Sequence, residues 1–160
     1  MKDKDLVITP AKIRFAAMDL LTGRELSRLE LAKKLDKRFD QNPAIKEVLD
    51  RLQEQGLQCD KRFSEAFVRS RLHRGHGMSR IRLDMRQKGI GDELFEAAIE
   101  KAEIDWFAIA RDVAQRKYGG DPAADQKEKA KRMRFLQYRG FNFDQIKYAL
   151  REKDLDEYND

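Results

Sequence analysis

Two stretches of the chain repeat the same arrangement of glycine and apolar residues at an offset of 51 positions. QKGIGDELFEAAI spans residues 87–99, and YRGFNFDQIKYAL spans residues 138–150. Gly89 corresponds to Gly140, and the apolar residues that follow one glycine recur at the same spacing after the other. Because self-similarity at a fixed period is typical of proteins built from tandem structural units, this repeat constrains the fold before any single motif does.

A third, less regular copy lies nearer the amino terminus. It reads ELAKKLDKRFDQNPAIKEVL at residues 30–49, where Phe39 takes the position of Ile90 and one additional loop residue is needed. Each copy follows a further segment with apolar residues at steps of three and four, the spacing of an amphipathic helix. Units this small bury little surface alone and must pack on their neighbours. We therefore expect an all-α protein of three tandem three-helix repeats in an elongated, curved array, with the repeats at residues 1–57, 58–104 and 105–160.

Glycine positions predict where the second helix of a repeat ends. Gly89 and Gly140 stand where a helix commonly closes on a left-handed residue, and the apolar residue after each can fold back onto the helix in a Schellman motif. Arg38 occupies this position in the first repeat, where a left-handed conformation would cost roughly 1 kcal/mol or more. We therefore expect a different turn there. Helix starts are predicted from the N-cap side chains Thr9, Asn42 and Asp105, and from Ser27 paired with Glu30.

Composition limits the classes of protein that remain. Of the 160 residues, 39% are charged, and the net charge is +5. The single cysteine, Cys59, excludes an intramolecular disulfide framework, and the first ten residues lack the apolar run of a signal peptide. No window approaches the roughly 18 consecutive apolar residues of a membrane span. We expect a cytoplasmic protein outside the membrane and, since no nucleophile with a base can be identified, a non-enzyme without cofactor or metal.

Positive charge is concentrated in one part of the chain. Residues 69–88 contain seven lysines and arginines and one acid, whereas residues 92–105 contain six acids and one lysine. Guanidinium groups donate hydrogen bonds in a planar fork that fits phosphate and carboxylate groups. This segregation favours an anionic partner, with a solvated helix surface as the competing interpretation. The seven are Arg69, Arg71, Arg74, Arg80, Arg82, Arg86 and Lys88, and a second cluster consists of Lys127, Lys129, Lys131, Arg132 and Arg134.

Three other interpretations of local motifs are weaker. A helix-turn-helix reader of duplex DNA places its last helix in the major groove, but residues 92–103 are acidic and phosphates would repel them. His73 and His76 have the spacing of two metal ligands, yet a glycine adjoins His76 and further ligands are not apparent. Aromatic residues on an amphipathic helix are more typical of a core than of base stacking, so we expect Trp106 to be buried.

Four ordered blocks of the sequence resemble a known family. They cover nearly the whole chain after the first ten residues: SRLELAKKL at 27–35, DKRFSEAFVRSRLHRGHGMSRIRLDMRQKGI at 60–90, DWFAIARDVAQRKYG at 105–119 and RFLQYRGFNFDQI at 134–146. In these blocks the chain resembles RecX, the regulatory protein of the RecA recombinase.

The resemblance implies a non-enzymatic inhibitor or modulator that lies along the groove of a RecA filament on single-stranded DNA. There it would block growth of the filament or promote its disassembly, which lowers ATP hydrolysis, strand exchange and repressor cleavage. The resemblance implies that the protein binds the RecA filament and single-stranded DNA, and that it does so as a monomer. The alternative is a DNA-binding module that competes for single-stranded or duplex DNA. The candidate contact residues are Arg69, Arg71, Arg74, Arg80, Arg82, Arg86, Lys88, Lys131, Arg132 and Arg134.

Overall fold

The computed structural model describes residues 7–151, and within this range the chain forms nine α-helices and no strand. The all-α class predicted from the apolar periodicity is confirmed, and three helices fall within each predicted repeat. In chain order the helices are α1 Pro10–Leu20, α2 Arg28–Arg38, α3 Ala44–Glu54, α4 Asp60–His73, α5 Met78–Gln87, α6 Asp92–Ala102, α7 Trp106–Tyr118, α8 Gln126–Tyr138 and α9 Phe143–Ala149.

The described residues divide into two compact units. The first compact unit contains the residues before Phe67 together with Met85–Ala98. The second compact unit contains Phe67–Asp84 together with the residues from Ile99 onward. The helices of the middle repeat therefore contribute residues to both units, and the repeat boundaries drawn from the sequence stay a prediction.

Each compact unit contains a three-helix core. In the first, α1, α2 and α3 pack on one another, and Leu31, Leu35 and Leu52 are fully buried. Leu31 and Leu35 are four residues apart, so they lie on the same face of α2. In the second, α7, α8 and α9 enclose Leu136 and Phe141. Burying one such side chain contributes roughly 1.5–3 kcal/mol, so each core stabilises the unit that contains it.

Asp60 joins the start of α4 to the start of α2 within the first compact unit. Its Oδ1 atom accepts a hydrogen bond from Arg28 N at 2.8 Å and another from Gln58 Nε2 at 2.9 Å. Gln58 is buried and also donates to the Leu26 carbonyl at 3.2 Å. These bonds satisfy polar groups that would be costly to bury alone.

Polar side chains cap the helix starts that the sequence predicts. The side chains of Thr9 and Asp105 accept hydrogen bonds from N–H groups in the first turns of α1 and α7. Asn42 Oδ1 accepts one from Ala44 N at 2.9 Å before α3. Each bond satisfies a donor that the helix itself leaves unpaired, and the predicted caps at Thr9 and Asp105 are confirmed. At α3 the capping position is occupied by Pro43, which makes no side-chain cap hydrogen bond, so Asn42 lies one residue before the cap and not at the cap position that the sequence predicts for it.

The predicted capping box at Ser27 is only half formed. Ser27 Oγ accepts a hydrogen bond from Glu30 N at 3.1 Å. The Glu30 carboxylate lies instead 3.2 Å from Lys88 Nζ. A full capping box occurs at the start of α9, where Asn142 and Gln145 exchange side-chain and backbone hydrogen bonds. A tertiary ion pair thus takes the carboxylate that the local motif would use.

Schellman motifs close α5 and α8 as predicted. Gly89 has φ +78° and donates its N–H to the Arg86 carbonyl at 3.0 Å, while Ile90 donates to the Met85 carbonyl at 3.0 Å. The same pair of bonds closes α8, where Gly140 has φ +102°. Ile90 and Phe141, the residues that follow the two glycines, are both buried, as is common in this motif.

The first repeat closes its second helix differently, and this prediction is confirmed. Arg38 remains helical as the last residue of α2. The positive φ values fall on the next loop residues, +51° at Asp40 and +54° at Gln41, and Gln41 donates its N–H to the Asp36 carbonyl at 2.9 Å. The additional loop residue therefore moves the left-handed conformation away from Arg38 and onto Asp40 and Gln41, of which aspartate is one of the residues that tolerate it better.

A close backbone contact joins the start of α5 to the turn between α8 and α9 in the second compact unit. Gly77 N donates to the Arg139 carbonyl at 2.7 Å, and Ser79 Oγ donates to the Gly140 carbonyl at 2.9 Å. A Cβ atom on Gly77 would lie 2.4 Å from the carbonyl carbon and oxygen of Gly140. Two glycines are therefore needed for the backbones to approach so closely.

Replacing Gly140 by alanine is expected to destabilise the protein by about 2 kcal/mol or more. The added Cβ would lie 2.6 Å from both the N and Cβ atoms of Arg80, and the residue would have to keep its positive φ. Gly120→Ala is the matched control, because a Cβ there meets no heavy atom within 4 Å. Urea unfolding followed by circular dichroism measures the difference. Equal unfolding free energies for the two variants would contradict the prediction.

Candidate contact surface

The predicted basic residues near the end of α4 differ in their exposure and in whether their side chains contact other residues of the protein. Arg69 and Arg74 are exposed, and no hydrogen bond or ion pair among residues 7–151 uses either side chain. Arg71 is half-buried, and its guanidinium carbon lies 4.6 Å from the centroid of the Phe67 ring. Cation–π attraction holds Arg71 against the helix, whereas Arg69 and Arg74 are available to an outside anion.

Arg80 on α5 is held from two sides. Its Nε atom lies 3.4 Å from Asp84 Oδ2, one helical turn further on, and its guanidinium carbon lies 5.3 Å from the centroid of the Tyr138 ring. The pKa of Arg80 is raised, first by hydrogen bonding with the Tyr138 side chain and then by the charge of Asp84. Arg82 on the same helix is half-buried. The α5 arginines are therefore more constrained than Arg69.

Arg86 and Lys88, the last two cations of the basic run at residues 69–88, belong to the first compact unit. Arg86 donates from Nε and Nη2 to the two carboxylate oxygens of Asp92, at 3.2 and 3.1 Å. Lys88 Nζ lies 3.2 Å from Glu30 Oε2. An ion pair as exposed as that of Arg86 contributes roughly 0–1 kcal/mol, so an anionic partner can replace its carboxylate at little cost.

Arg132 is buried, although the sequence predicts it as a contact residue. Only 9% of it is exposed. Nη1 donates to the Asp121 carbonyl at 2.9 Å, Nη2 donates to Glu128 at 2.8 Å, and the guanidinium carbon lies 4.6 Å from the centroid of the Tyr118 ring. The pKa of Glu128 is lowered, first by the Ala124 N–H and then by this arginine. Arg132 thus fixes the connection before α8, and we leave it out of the proposed contact residues.

The other cations of the second cluster are exposed on α8. They lie on the surface of the second compact unit and carry no hydrogen bond or ion pair to another described residue. Long cationic side chains of this kind can follow a polyanion without a fixed geometry. They are Lys127, Lys129, Lys131 and Arg134.

Tyr138 and Arg139 join the candidate surface, although sequence reasoning missed both. Arg139 Nη1 donates to the Arg74 carbonyl at 2.9 Å, and its guanidinium carbon lies 5.0 Å from the Phe135 ring centroid. Tyr138 is 76% exposed beside Arg80. The repeat itself could have found Arg139, because it is the counterpart of Lys88 at the offset of 51 positions.

His76 lies among these arginines. Its pKa is lowered, first by burial and then by the charges of Arg71, Arg139 and Arg80, while Asp84 opposes the shift. Its Nδ1 atom is buried and has no hydrogen-bond partner in the described part of the chain. Among residues 7–151, no three histidine, cysteine or acidic side chains converge as metal ligands. The arrangement is a cationic surface around a neutral imidazole.

The aromatic residues of α7 do not follow the sequence-based expectation. Trp106, predicted to be buried, is only half-buried at the first position of α7. Phe107 is 43% exposed and packs edge to face on Tyr148, with ring centroids 5.6 Å apart.

An open cleft of about 1040 Å³ lies within the second compact unit. It is bordered by α7, α8, α9 and the connection at residues 119–125. Its described wall contains aspartates and basic residues but no histidine, cysteine, serine or threonine. The wall therefore offers no pair of nucleophile and imidazole base of the kind that acyl transfer needs.

Comparison with known proteins identifies the family. Residues 60–99 match the model of the second three-helix domain of RecX, and residues 103–150 match that of the third. A regulatory protein RecX of Pseudomonas putida strain GB-1 is 43% identical over 150 residues, which is 94% of this chain and 96% of the relative. The chain belongs to the RecX family. The RecX relatives are named regulatory proteins, and a regulatory role follows for this member.

Further RecX proteins support the assignment. A regulatory protein RecX of Halorhodospira halophila is 43% identical over 145 residues, covering 91% of this chain and 90% of the relative. The crystal structure of RecX from Lactobacillus salivarius superposes with a TM-score of 0.72 at 25% identity, covering 91% of this chain and 97% of that one. In the described residues, no helix has the length and apolar character to cross a membrane.

The lowered pKa of His76 predicts that stability falls as the pH drops from 7 to 5. The unfolded chain takes up a proton near the ordinary histidine pKa, whereas the folded chain resists it, so the free energy of unfolding rises with pH. One proton limits the slope to about 1.4 kcal/mol per pH unit. Urea unfolding at several pH values should show a smaller slope for His76→Gln than for the wild type, and His73→Gln, which alters an exposed histidine, serves as the comparison variant. Equal slopes for His76→Gln and the wild type would contradict the prediction.

Proposed function

We propose that this RecX protein regulates the RecA recombinase by binding the RecA filament on single-stranded DNA and blocking its growth or promoting its disassembly. The observation that carries the proposal is the likeness to curated RecX proteins over 94% of the chain. Nearly the whole of this sequence takes part in that likeness, which supports extending the role of the family to it. Regulation of RecA filaments requires the protein in the cytoplasm, where one molecule acts as a monomer.

The exposed cations supply the contacts that this role needs. A filament on DNA displays phosphates and carboxylates, and guanidinium groups bind both through paired hydrogen bonds. Arg69 and Arg74 are exposed without an internal partner in the described chain, so binding an anion does not require an existing ion pair to break. Contacts of this kind determine specificity and association rate.

A filament that loses its growing end or its continuity affects many RecA protomers at once. ATP hydrolysis, strand exchange and repressor cleavage all depend on the intact filament, so one RecX molecule lowers all three. DNA repair, homologous recombination and the SOS response are the processes in which this regulation acts. No catalytic step by RecX itself is required.

A second candidate function is competition for DNA. The four exposed cations of α8 and the net charge of +5 favour direct binding to phosphates. Affinity for bare DNA would then fall steeply with salt, by roughly one power of the salt concentration for each phosphate that is neutralised. Inhibition would follow coverage of the DNA and would not require contact with RecA.

One titration tests the proposal against this alternative. RecA filaments are assembled on single-stranded DNA, and their ATP hydrolysis is measured while RecX is added far below one molecule per RecA protomer. We expect hydrolysis to fall progressively at these low ratios. A fall that begins only when RecX is abundant enough to cover the DNA would support the competing DNA binder. Unchanged hydrolysis at every ratio would refute both.

Neutralising Arg69 and Arg74 together as glutamine is expected to raise the RecX concentration for half-maximal inhibition by about tenfold or more. Both side chains are exposed, so the fold should not change. Lys33→Gln with Lys34→Gln is the matched control, since it removes two positive charges from exposed positions on α2 in the first compact unit. The ATPase titration serves as the measurement. Equal inhibition by the two double variants would place the contact elsewhere or make it a property of total charge.

A further inference from the structure

Tyr138 is a large aromatic side chain left in water at the end of a helix. It is the last residue of α8 and is 76% exposed. Apolar residues of this size usually contribute to a core, and isolated exposed ones are common enough to need no explanation. Two further observations, its rigid backbone and its cationic neighbours, distinguish Tyr138 from such isolated cases.

The backbone beside Tyr138 is fixed. The next two residues are Arg139, whose carbonyl accepts from Gly77 N at 2.7 Å, and Gly140, whose carbonyl accepts from Ser79 Oγ at 2.9 Å. The Schellman turn at Gly140 adds its own hydrogen bonds. A side chain that extends from such a segment loses little additional freedom when it binds a ligand.

Arg80 positions the ring. Its guanidinium carbon lies 5.3 Å from the ring centroid, and its Nε atom lies 3.4 Å from Asp84 Oδ2. Arginine and tyrosine attract each other in this arrangement through the charge distribution of the ring. Since Tyr138 keeps 76% of its surface exposed, most of the ring remains open for a second planar group.

Positive charge lies beside the ring at Arg80 and in the next residue of the chain, Arg139. Arg139 bonds to the Arg74 carbonyl at 2.9 Å, and the charges of Arg71, Arg80 and Arg139 all act on His76. Tyrosine and arginine are also enriched at the hot spots of protein interfaces, which typically lie in well-packed, desolvated pockets. An exposed ring among guanidinium groups instead matches proteins that bind single strands, in which bases stack on aromatics while cations follow the phosphates.

We propose that Tyr138 is a base-stacking residue for single-stranded DNA, with Arg80 as the positioning residue that orients its ring. A base of the strand stacks on the exposed ring face, and Arg74 and Arg139 contact the adjacent phosphates. Bases within a duplex are already stacked on their neighbours, so the residue selects single strands. The inference rests on the proposed function for its setting on the filament, but the contact itself can be measured without RecA.

The test measures the affinity of purified RecX for two labelled oligonucleotides of equal length, oligothymidylate and an abasic strand with the same phosphates. Fluorescence anisotropy should show that the wild-type protein prefers the strand that carries bases. Tyr138→Ala should weaken binding to oligothymidylate by about 5- to 150-fold and abolish the preference. Tyr138→Phe should retain both, because stacking does not need the hydroxyl. Loss of fold alone would weaken binding to both strands, so the preference is the decisive measurement.

Phe143→Ala is the matched control. Phe143 is another exposed aromatic of the second compact unit, 65% exposed, and we expect its replacement to leave the base preference unchanged. The salt dependence adds an independent check. Arg74→Gln should lower the salt slope by about one, whereas Tyr138→Ala should leave the slope unaltered.

The outcomes separate this inference from the proposed function. Wild-type preference for bases that survives Tyr138→Ala would overturn the stacking role, even if RecX inhibits RecA. Normal DNA binding by Tyr138→Ala with impaired inhibition of RecA would also overturn it, because Tyr138 would then contact the RecA protein. A base preference that depends on Tyr138, in a protein that leaves RecA hydrolysis unchanged, would support the inference and refute the proposed function.

Discussion

The approach of Gly77 to Gly140 is the constraint on which the second compact unit depends. The absence of side chains at both positions lets the start of α5 lie directly on the turn between α8 and α9. Arg80, one turn into α5, thereby comes within reach of Tyr138 at the end of α8. The geometry of the candidate surface is therefore set by backbone packing, and the charged side chains occupy positions that the glycines determine.

The arginines of this chain differ in whether they bond to other residues of the protein or remain exposed, although they carry the same side chain. Arg132 donates hydrogen bonds within the protein, from Nη1 to the Asp121 carbonyl and from Nη2 to the Glu128 carboxylate. Arg80 is partly exposed but forms an ion pair with Asp84, whereas Arg69 is exposed. Counting positive charge along the sequence overestimates a binding surface, because a guanidinium already bonded inside a protein has lost much of its value to an outside anion.

Local signals in the sequence were sufficient for much of the fold. The helix period, the caps at Thr9 and Asp105 and the closing glycines are read from neighbouring residues, and the structure confirms each of them. The unusual turn of the first repeat was predicted from one position, where Arg38 stands in place of the glycine of the other two repeats. The energy of a left-handed conformation depends on the residue that adopts it.

What sequence reasoning missed depends on contacts between distant residues. The burial of Arg132 requires the connection before α8 to fold back over it, and no local pattern encodes that. Tyr138 becomes notable only when α5 places Arg80 beside it. Tertiary packing likewise determines that the Glu30 carboxylate pairs with Lys88 and does not complete the local capping box. The candidate site was thus predictable in composition but not in arrangement.

The contact between Gly77 and Gly140 also constrains the order in which the protein folds during its synthesis. Ser79 and Gly140 lie 61 positions apart, so the start of α5 leaves the ribosome long before the carbonyls that receive its N–H and hydroxyl groups. At typical rates of synthesis the interval is roughly 3–12 s. During that time the middle repeat exists without its final hydrogen bonds. Its maturation is therefore a late event, completed only when the last helical hairpin arrives.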